Sequence, residues 1–148
     1  MKIRKEAGLT LVFENGTKSG IVKVAEWVCS DIEKCLGFLP DMREVYGEED
    51  LKNIEGDKIL FGTVENDLVS GRLKDLNGIK DKREVYSFGL CGDDTLLICG
   101  SDKRGCIYGL FRISDLLGVS PFVNWSNVVP PKRDFFEISE KNCTIVTV

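Results

Sequence analysis

The segment Gly100-Ser101-Asp102-Lys103-Arg104-Gly105 is the stretch best placed to do chemistry, because it leaves an apolar, strand-like run and opens a helical pattern. Backbone N–H groups and the dipole at a helix start attract anions, and Lys103 and Arg104 add full charges. Arg104 suits a carboxylate, since a guanidinium can bind both oxygens at once. The spacing is neither the Gly-x-x-x-x-Gly-Lys-Ser/Thr of a phosphate loop nor the Gly-x-Gly-x-x-Gly of a dinucleotide turn. The same residues also fit a plain strand-to-helix turn with Ser101 or Asp102 as N-cap. Trp27, Phe122 and Trp125 carry ring faces that can stack on a sugar. Trp27 lies in an amphipathic pattern, where packing in the core or against a neighbouring domain is the simpler role.

Other chemistries are thinly supplied. The sequence contains no histidine, which excludes Ser-His-Asp and Cys-His triads, imidazole proton shuttles and His-bearing zinc sites. Its six cysteines, at 29, 35, 91, 99, 106 and 143, never take the Cys-x-x-Cys spacing of zinc or redox motifs. They read as reduced structural thiols; Cys106 or Cys91 as a nucleophile would lack an activating base. The acidic residues Glu48, Glu49, Asp50, Asp93 and Asp94 would need two carboxyls held about 5 to 9 Å apart across a cleft to cleave a glycoside. They fall in turn-forming stretches, where solvated carboxylates are the simpler reading. No metal and no cofactor is expected.

The elements that position these residues follow from periodicity. The spacing predicts a strand at Leu9–Phe13, closed by Asn15-Gly16, and an amphipathic helix from Ile21 to Cys35 capped by Gly37. A second strand fits within Pro40–Tyr46, followed by an exposed loop or short turn at Gly47–Asp50. A third strand at Lys58–Val64 leads to a helix from Asn66 or Asp67 through Leu76. Glu84–Leu90 and Thr95–Cys99 form a hairpin around Cys91–Asp94. A helix at about Lys103–Leu117 presents Ile107, Leu110, Phe111, Ser114 and Leu117 on one face, with Gly109 inside and Gly118 as stop. Val119–Lys132, rich in Pro, Asn and Ser, reads as a connector, and Asp134–Ser139 and Thr144–Val148 as strands. The chain ends on an apolar β-branched run, which points to continuation beyond it. The fold class is therefore α/β, a mixed β-sheet covered by amphipathic helices.

At 148 residues, with 43% hydrophobic and 30% charged residues, the chain has the size and composition of one globular domain. A net charge of −4 with both signs interspersed argues against nucleic acid as a partner. No apolar run approaches the roughly 20 residues that span a bilayer, so no membrane partner is expected. The amino terminus lacks the apolar run and cleavage site of a signal peptide, leaving cytoplasm, or export after signal removal, as the compartment.

Leu96 to Pro131, LLICGSDKRGCIYGLFRISDLLGVSPFVNWSNVVPP, resembles the amino-terminal domain of glycoside hydrolase family 115, the xylan α-1,2-glucuronidases. The family pattern there is an apolar strand, G-S-D-[KR]-R-G-x-[IAF]-[YF]-G, an amphipathic helix and G-V-S-P-W. Gly100–Gly105, Tyr108, Gly109 and Gly118–Pro121 match it, and Gly20–Leu36 and Ile59–Thr63 are similar to the family's first helix and following strand. The chain departs where the family has W-Y-W-W-A-D-V and this sequence has Phe122–Val128.

The resemblance implies an α/β domain like the second domain of β-hexosaminidases, packed beside a (β/α)8 barrel that follows in sequence and carries the catalytic residues. On this basis residues 1–118 form an accessory domain, and 119–148 a connector and terminal strands leading toward the barrel. The parent would be a glycoside hydrolase acting on acidic xylo-oligosaccharide, and this chain would contribute no catalytic residue. The alternative is a free-standing carbohydrate- or anion-binding module. There Ser101, Asp102, Lys103, Arg104, Gly105 and Trp125 recognise a uronic acid; otherwise they face the barrel.

Overall fold

Leu9–Val12, Ile59–Phe61 and Leu96–Cys99 are buried without a break, the mark of strands covered on both faces. The computed structural model describes residues 1–73, 76–119, 132–139 and 144–147, with the backbone alone for 77 and 144–147. Its elements are β1 (Lys2–Arg4), β2 (Leu9–Glu14), α1 (Ser19–Leu36), β3 (Asp41–Val45), α2 (Glu48–Lys52), β4 (Asp57–Thr63), α3 (Asp67–Ser70), a 3₁₀ turn (Leu76–Gly78), β5 (Val85–Leu90), β6 (Thr95–Gly100), α4 (Lys103–Leu116), β7 (Phe135–Glu137) and β8 (Thr144–Thr147).

One sheet is ordered β3-β2-β4-β6-β5-β8, and β1 pairs with β7 in a separate ribbon. β3, β2, β4 and β6 run parallel, while β5 is antiparallel to β6 and to β8. The expected mixed α/β sheet is what forms. Alternation sorts the side chains of the central strands between two cores. Leu11, Ile59, Phe61, Leu96 and Ile98 pack with Ile21, Val28 and Ile32 of α1 and with Leu110 and Ile113 of α4. Val12, Leu60, Leu97 and Cys99 pack on the other face with Leu51 of α2, Leu68 and Val69 of α3, and Ile79. Gly37, at φ 79°, stops α1 as expected, its N–H donating to Glu33 O at 2.9 Å. The Arg133 N–H donates to Cys35 O at 2.7 Å and Ile138 N–H to Met1 O at 2.8 Å, so the chain after residue 132 is stitched to the domain.

Four expectations change. Glu48–Lys52 is a short helix, because Glu48, Glu49 and Asp50 fall in its first turn, where carboxylates suit the dipole. The helix expected through Leu76 ends at Ser70; Gly71 is its C-cap and the chain turns into the separate 3₁₀ turn. Trp27 is 54% exposed, which removes the core reading. The buried face of α4 is Gly105, Cys106, Gly109, Leu110, Ile113 and Ser114, whereas Phe111 is 40% exposed. The helix is rotated because Gly105 and Gly109 meet the sheet beside Leu110 and Ile113, in place of Phe111: a Cβ at Gly109 would lie 2.5 Å from Ile98 Cγ2 and 3.3 Å from the Tyr86 ring. The strand Lys2–Arg4 has no counterpart in the sequence reading, since only Ile3 of its residues is buried.

Gly109→Ala should therefore destabilise the fold. Helix propensity alone favours Ala by about 1 kcal/mol, but overpacking against a buried isoleucine costs about 1–3 kcal/mol. A lower urea midpoint at unchanged slope is the expected result, and a raised midpoint would remove the close-approach argument.

Candidate functional site

The turn Gly100–Gly105 lies where β6 ends and α4 begins, and most of its polar groups are taken up internally. Asp102 is the N-cap: one carboxylate oxygen accepts from Gly105 N–H at 2.8 Å and the other from Glu84 N–H at 3.0 Å. Ser101 N–H donates to Val85 O at 2.8 Å, and Val85 N–H donates back to Ser101 Oγ at 3.1 Å. Arg104 pairs with Glu84 at 2.9 Å. Glu84 sits at φ 56°, a left-handed conformation costing about 1–2 kcal/mol in an L-residue. Asp102 on its N–H and Arg104 on its carboxylate hold it there. Gly105 is required by contact, since a Cβ would overlap the Val85 carbonyl oxygen; one at Gly100 would overlap the Cys106 amide nitrogen. Five of the six predicted site residues thus sit together in this turn, and Trp125 and Phe122 lie outside the described residues.

Lys103 differs from its neighbours. It forms no ion pair among the described residues, and its side chain lies along the start of α1, where a Cβ on Gly20 would come within 2.8 Å of Nζ. A cation there faces the positive end of a helix, an arrangement that an anion would relieve. Lys103 lines a cleft of about 100 Å³ with Thr17, Lys18, Thr63, Asn66 and Ser101. These residues come from the loops after β2, β4 and β6, all at the carboxyl ends of parallel strands. β3 and β4 flank β2 on opposite sides, so the cleft is at the topological switch point, the usual ligand position in such sheets. Asn66 is committed within it, its side-chain oxygen accepting from Thr63 N–H at 2.9 Å.

The remaining sequence candidates do not assemble into a catalytic set. Glu48 is held by Arg72 through two hydrogen bonds of 2.8 and 2.6 Å, which keep its carboxyl below the usual range. Asp50 accepts from Tyr46 N–H at 2.9 Å. These two follow the carboxyl end of β3, whereas Asp93 and Asp94 precede β6, at the opposite end of the parallel strands. Burial pushes the thiols of Cys29 and Cys99 up to about 12 and that of Cys106 higher still, so all three remain protonated and non-nucleophilic. Among the described residues no group of three or more acidic or cysteine side chains is gathered as a metal site.

Sequence reasoning missed a second concavity of about 370 Å³ beside α4, lined by Asp31 of α1, Tyr86 of β5, Tyr108, Phe111, Arg112, Ser114 and Asp115 of α4, and Val119 just after it. Its residues come from three elements and the segment that follows α4, and they form no motif. The one available signal was Phe111 and Tyr108 falling outside the α4 face centred on Gly105 and Gly109.

No protein-family model matches the sequence, and none of the curated proteins does. Among solved structures, the chain is similar to a family GH115 4-O-methyl-α-glucuronidase, BtGH115A, described as having specificity for decorated arabinogalactans. The likeness has a TM-score of 0.82 at 22% identity and covers 99% of this chain and 18% of that one. It is also similar to CpGH84D, with a TM-score of 0.55 at 15% identity over 82% of this chain and 19% of that one. At these identities the correspondence is one of fold. The chain spans less than a fifth of either protein, and its fold is that of a segment of each.

Proposed function

We propose that this chain is a non-catalytic accessory domain of a larger glycoside hydrolase of the α-glucuronidase type, packing against and orienting a (β/α)8 barrel of the same polypeptide. Residues 1–118 form its body, and 119–148 lead on toward the barrel. The observation that carries this reading is the match of nearly the whole chain to a small part of a GH115 enzyme. The site chemistry agrees with it: the buried thiols of Cys29, Cys99 and Cys106 held protonated, Glu48 and Asp50 committed to local bonds at the far end of the strands from Asp93 and Asp94, and no histidine in the sequence. The turn Gly100–Gly105 acts in this reading as a clamp that fixes the start of α4 to the start of β5.

Two measurements test it. The purified chain should release no glucuronic acid from acidic xylo-oligosaccharides, and turnover that survives purification controls would overturn the accessory role. Sequencing past the codon for Val148 should reveal a reading frame continuing into a barrel; an immediate stop would favour the module instead.

The module reading, recognition of a uronic acid at the strand ends, is favoured by the unpaired Lys103 in the switch-point cleft. Arg104 is drawn away from it by Glu84. If it holds, calorimetric titration with glucuronate gives millimolar binding that Lys103→Ala abolishes and Arg104→Ala leaves intact. No heat with the unaltered chain would sink it.

A further inference from the structure

The concavity beside α4 contains a buried polar atom that the described residues leave without a partner. Tyr86 is 6% exposed and its hydroxyl forms no hydrogen bond to a described residue, though the oxygen itself is not sealed from solvent. Arg112 Nε is buried and has none either, and its Nη1 makes only a 3.6 Å contact with Asp115, a side chain 74% exposed. Burial raises the Tyr86 phenol while Arg112 pulls it down, which places the two groups within electrostatic reach of each other. Buried polar groups are almost always satisfied, so the bare Arg112 Nε, the one such side-chain atom among the described residues, points to a missing hydrogen-bonding guest. The volume, about 370 Å³, falls in the range of about 300–1,000 Å³ usual for small-molecule sites.

The lining says what kind of guest fits. Tyr108 and Phe111, 38% and 40% exposed, present aromatic surface at the rim. Tyr86 and Arg112 supply donors. Asp31 accepts from Ser114 Oγ at 2.7 Å through one oxygen and keeps acceptor capacity on the other. Charge then decides between ligand classes: Asp31 and Asp115 set two carboxylates against the one guanidinium of Arg112, so the concavity repels an anion. Aromatic surface with interleaved donors and acceptors, and no net positive charge, matches a ring with apolar faces and hydroxyls around its edge.

We infer that this concavity, built from Tyr86, Phe111, Arg112 and Asp31, binds a neutral saccharide unit. The site is separate from the switch-point cleft and stands whether or not a barrel follows.

The test is a titration of the ¹⁵N-labelled chain with D-xylose, D-glucose and D-galactose, and with D-glucuronate as the charged arm. At least one neutral sugar should shift the amides of residues 108–115, with a dissociation constant in the millimolar range. Phe111→Ala, at an exposed position that leaves the fold intact, should weaken it roughly fivefold through lost stacking. Tyr86→Phe keeps the ring and its packing and should weaken it by about threefold to tenfold through the lost hydroxyl. Trp27→Ala, an exposed aromatic outside the site, should change nothing. Absence of shifts with all three neutral sugars overturns the assignment, as does binding indifferent to both site variants. Tighter binding of glucuronate than of glucose overturns the neutral class, and shifts confined to residues 17–20 and 101–103 overturn the location.

Discussion

The arrangement depends on how closely the backbone of α4 approaches the sheet. Gly100, Gly105 and Gly109 are the contact points, and at each a Cβ would meet an atom that cannot easily move. From that approach the rest follows. With α4 seated this low, the Asp102 carboxylate spans both the open end of its own helix and the Glu84 N–H at the head of β5. That second bond, together with the Arg104 pair, holds Glu84 in a conformation that it would otherwise avoid. The register of β5 on β6, and the placing of Tyr86 beneath Gly109, are set by the same contact.

Seating a helix on glycines also decides what it leaves outside. A helix presents about one face in three to its sheet, and here Gly105, Cys106, Gly109 and Ser114 share that face with Leu110 and Ile113. Tyr108, Phe111 and Arg112 are consequently carried to the flank, where they line the concavity with Tyr86 and Asp31. In a helix packed by its largest residues Phe111 would be core and the concavity would be filled. The close approach and the concavity are two results of one choice of residues.

Much of this was legible in the sequence, and what was not has a physical reason. Unbroken apolar runs gave β2, β4 and β6, and the three-and-four spacing from Ile21 to Cys35 with Gly37 gave α1, because burial writes a period into the chain. Asp102 as N-cap was readable for the same local reason. The face of α4 was misread because hydrophobic periodicity gives glycine little weight, although glycine is where the backbone comes nearest. Trp27 was misplaced because periodicity locates the apolar stripe of a helix but not its edges. β1 escaped because a three-residue strand with a single buried residue carries no pattern. The Tyr86, Arg112 and Asp31 grouping is a tertiary coincidence of three elements, and no spacing within one segment encodes it.

The two concavities show why position alone does not assign a ligand. The cleft at the switch point lies where ligands of open α/β sheets are found, yet Asn66, Asp102 and Ser101 there are bonded to the chain itself. The concavity beside α4 has no topological claim, but it holds a guanidinium nitrogen that burial has stripped of water without replacing it. An unmade buried hydrogen bond costs about 1–3 kcal/mol, whereas a bond already made to the fold has little more to offer a guest. By that measure the resemblance of the turn to a ligand loop is explained by its work as a clamp. The capacity for recognition lies one helix turn further along, in residues that belong to no motif.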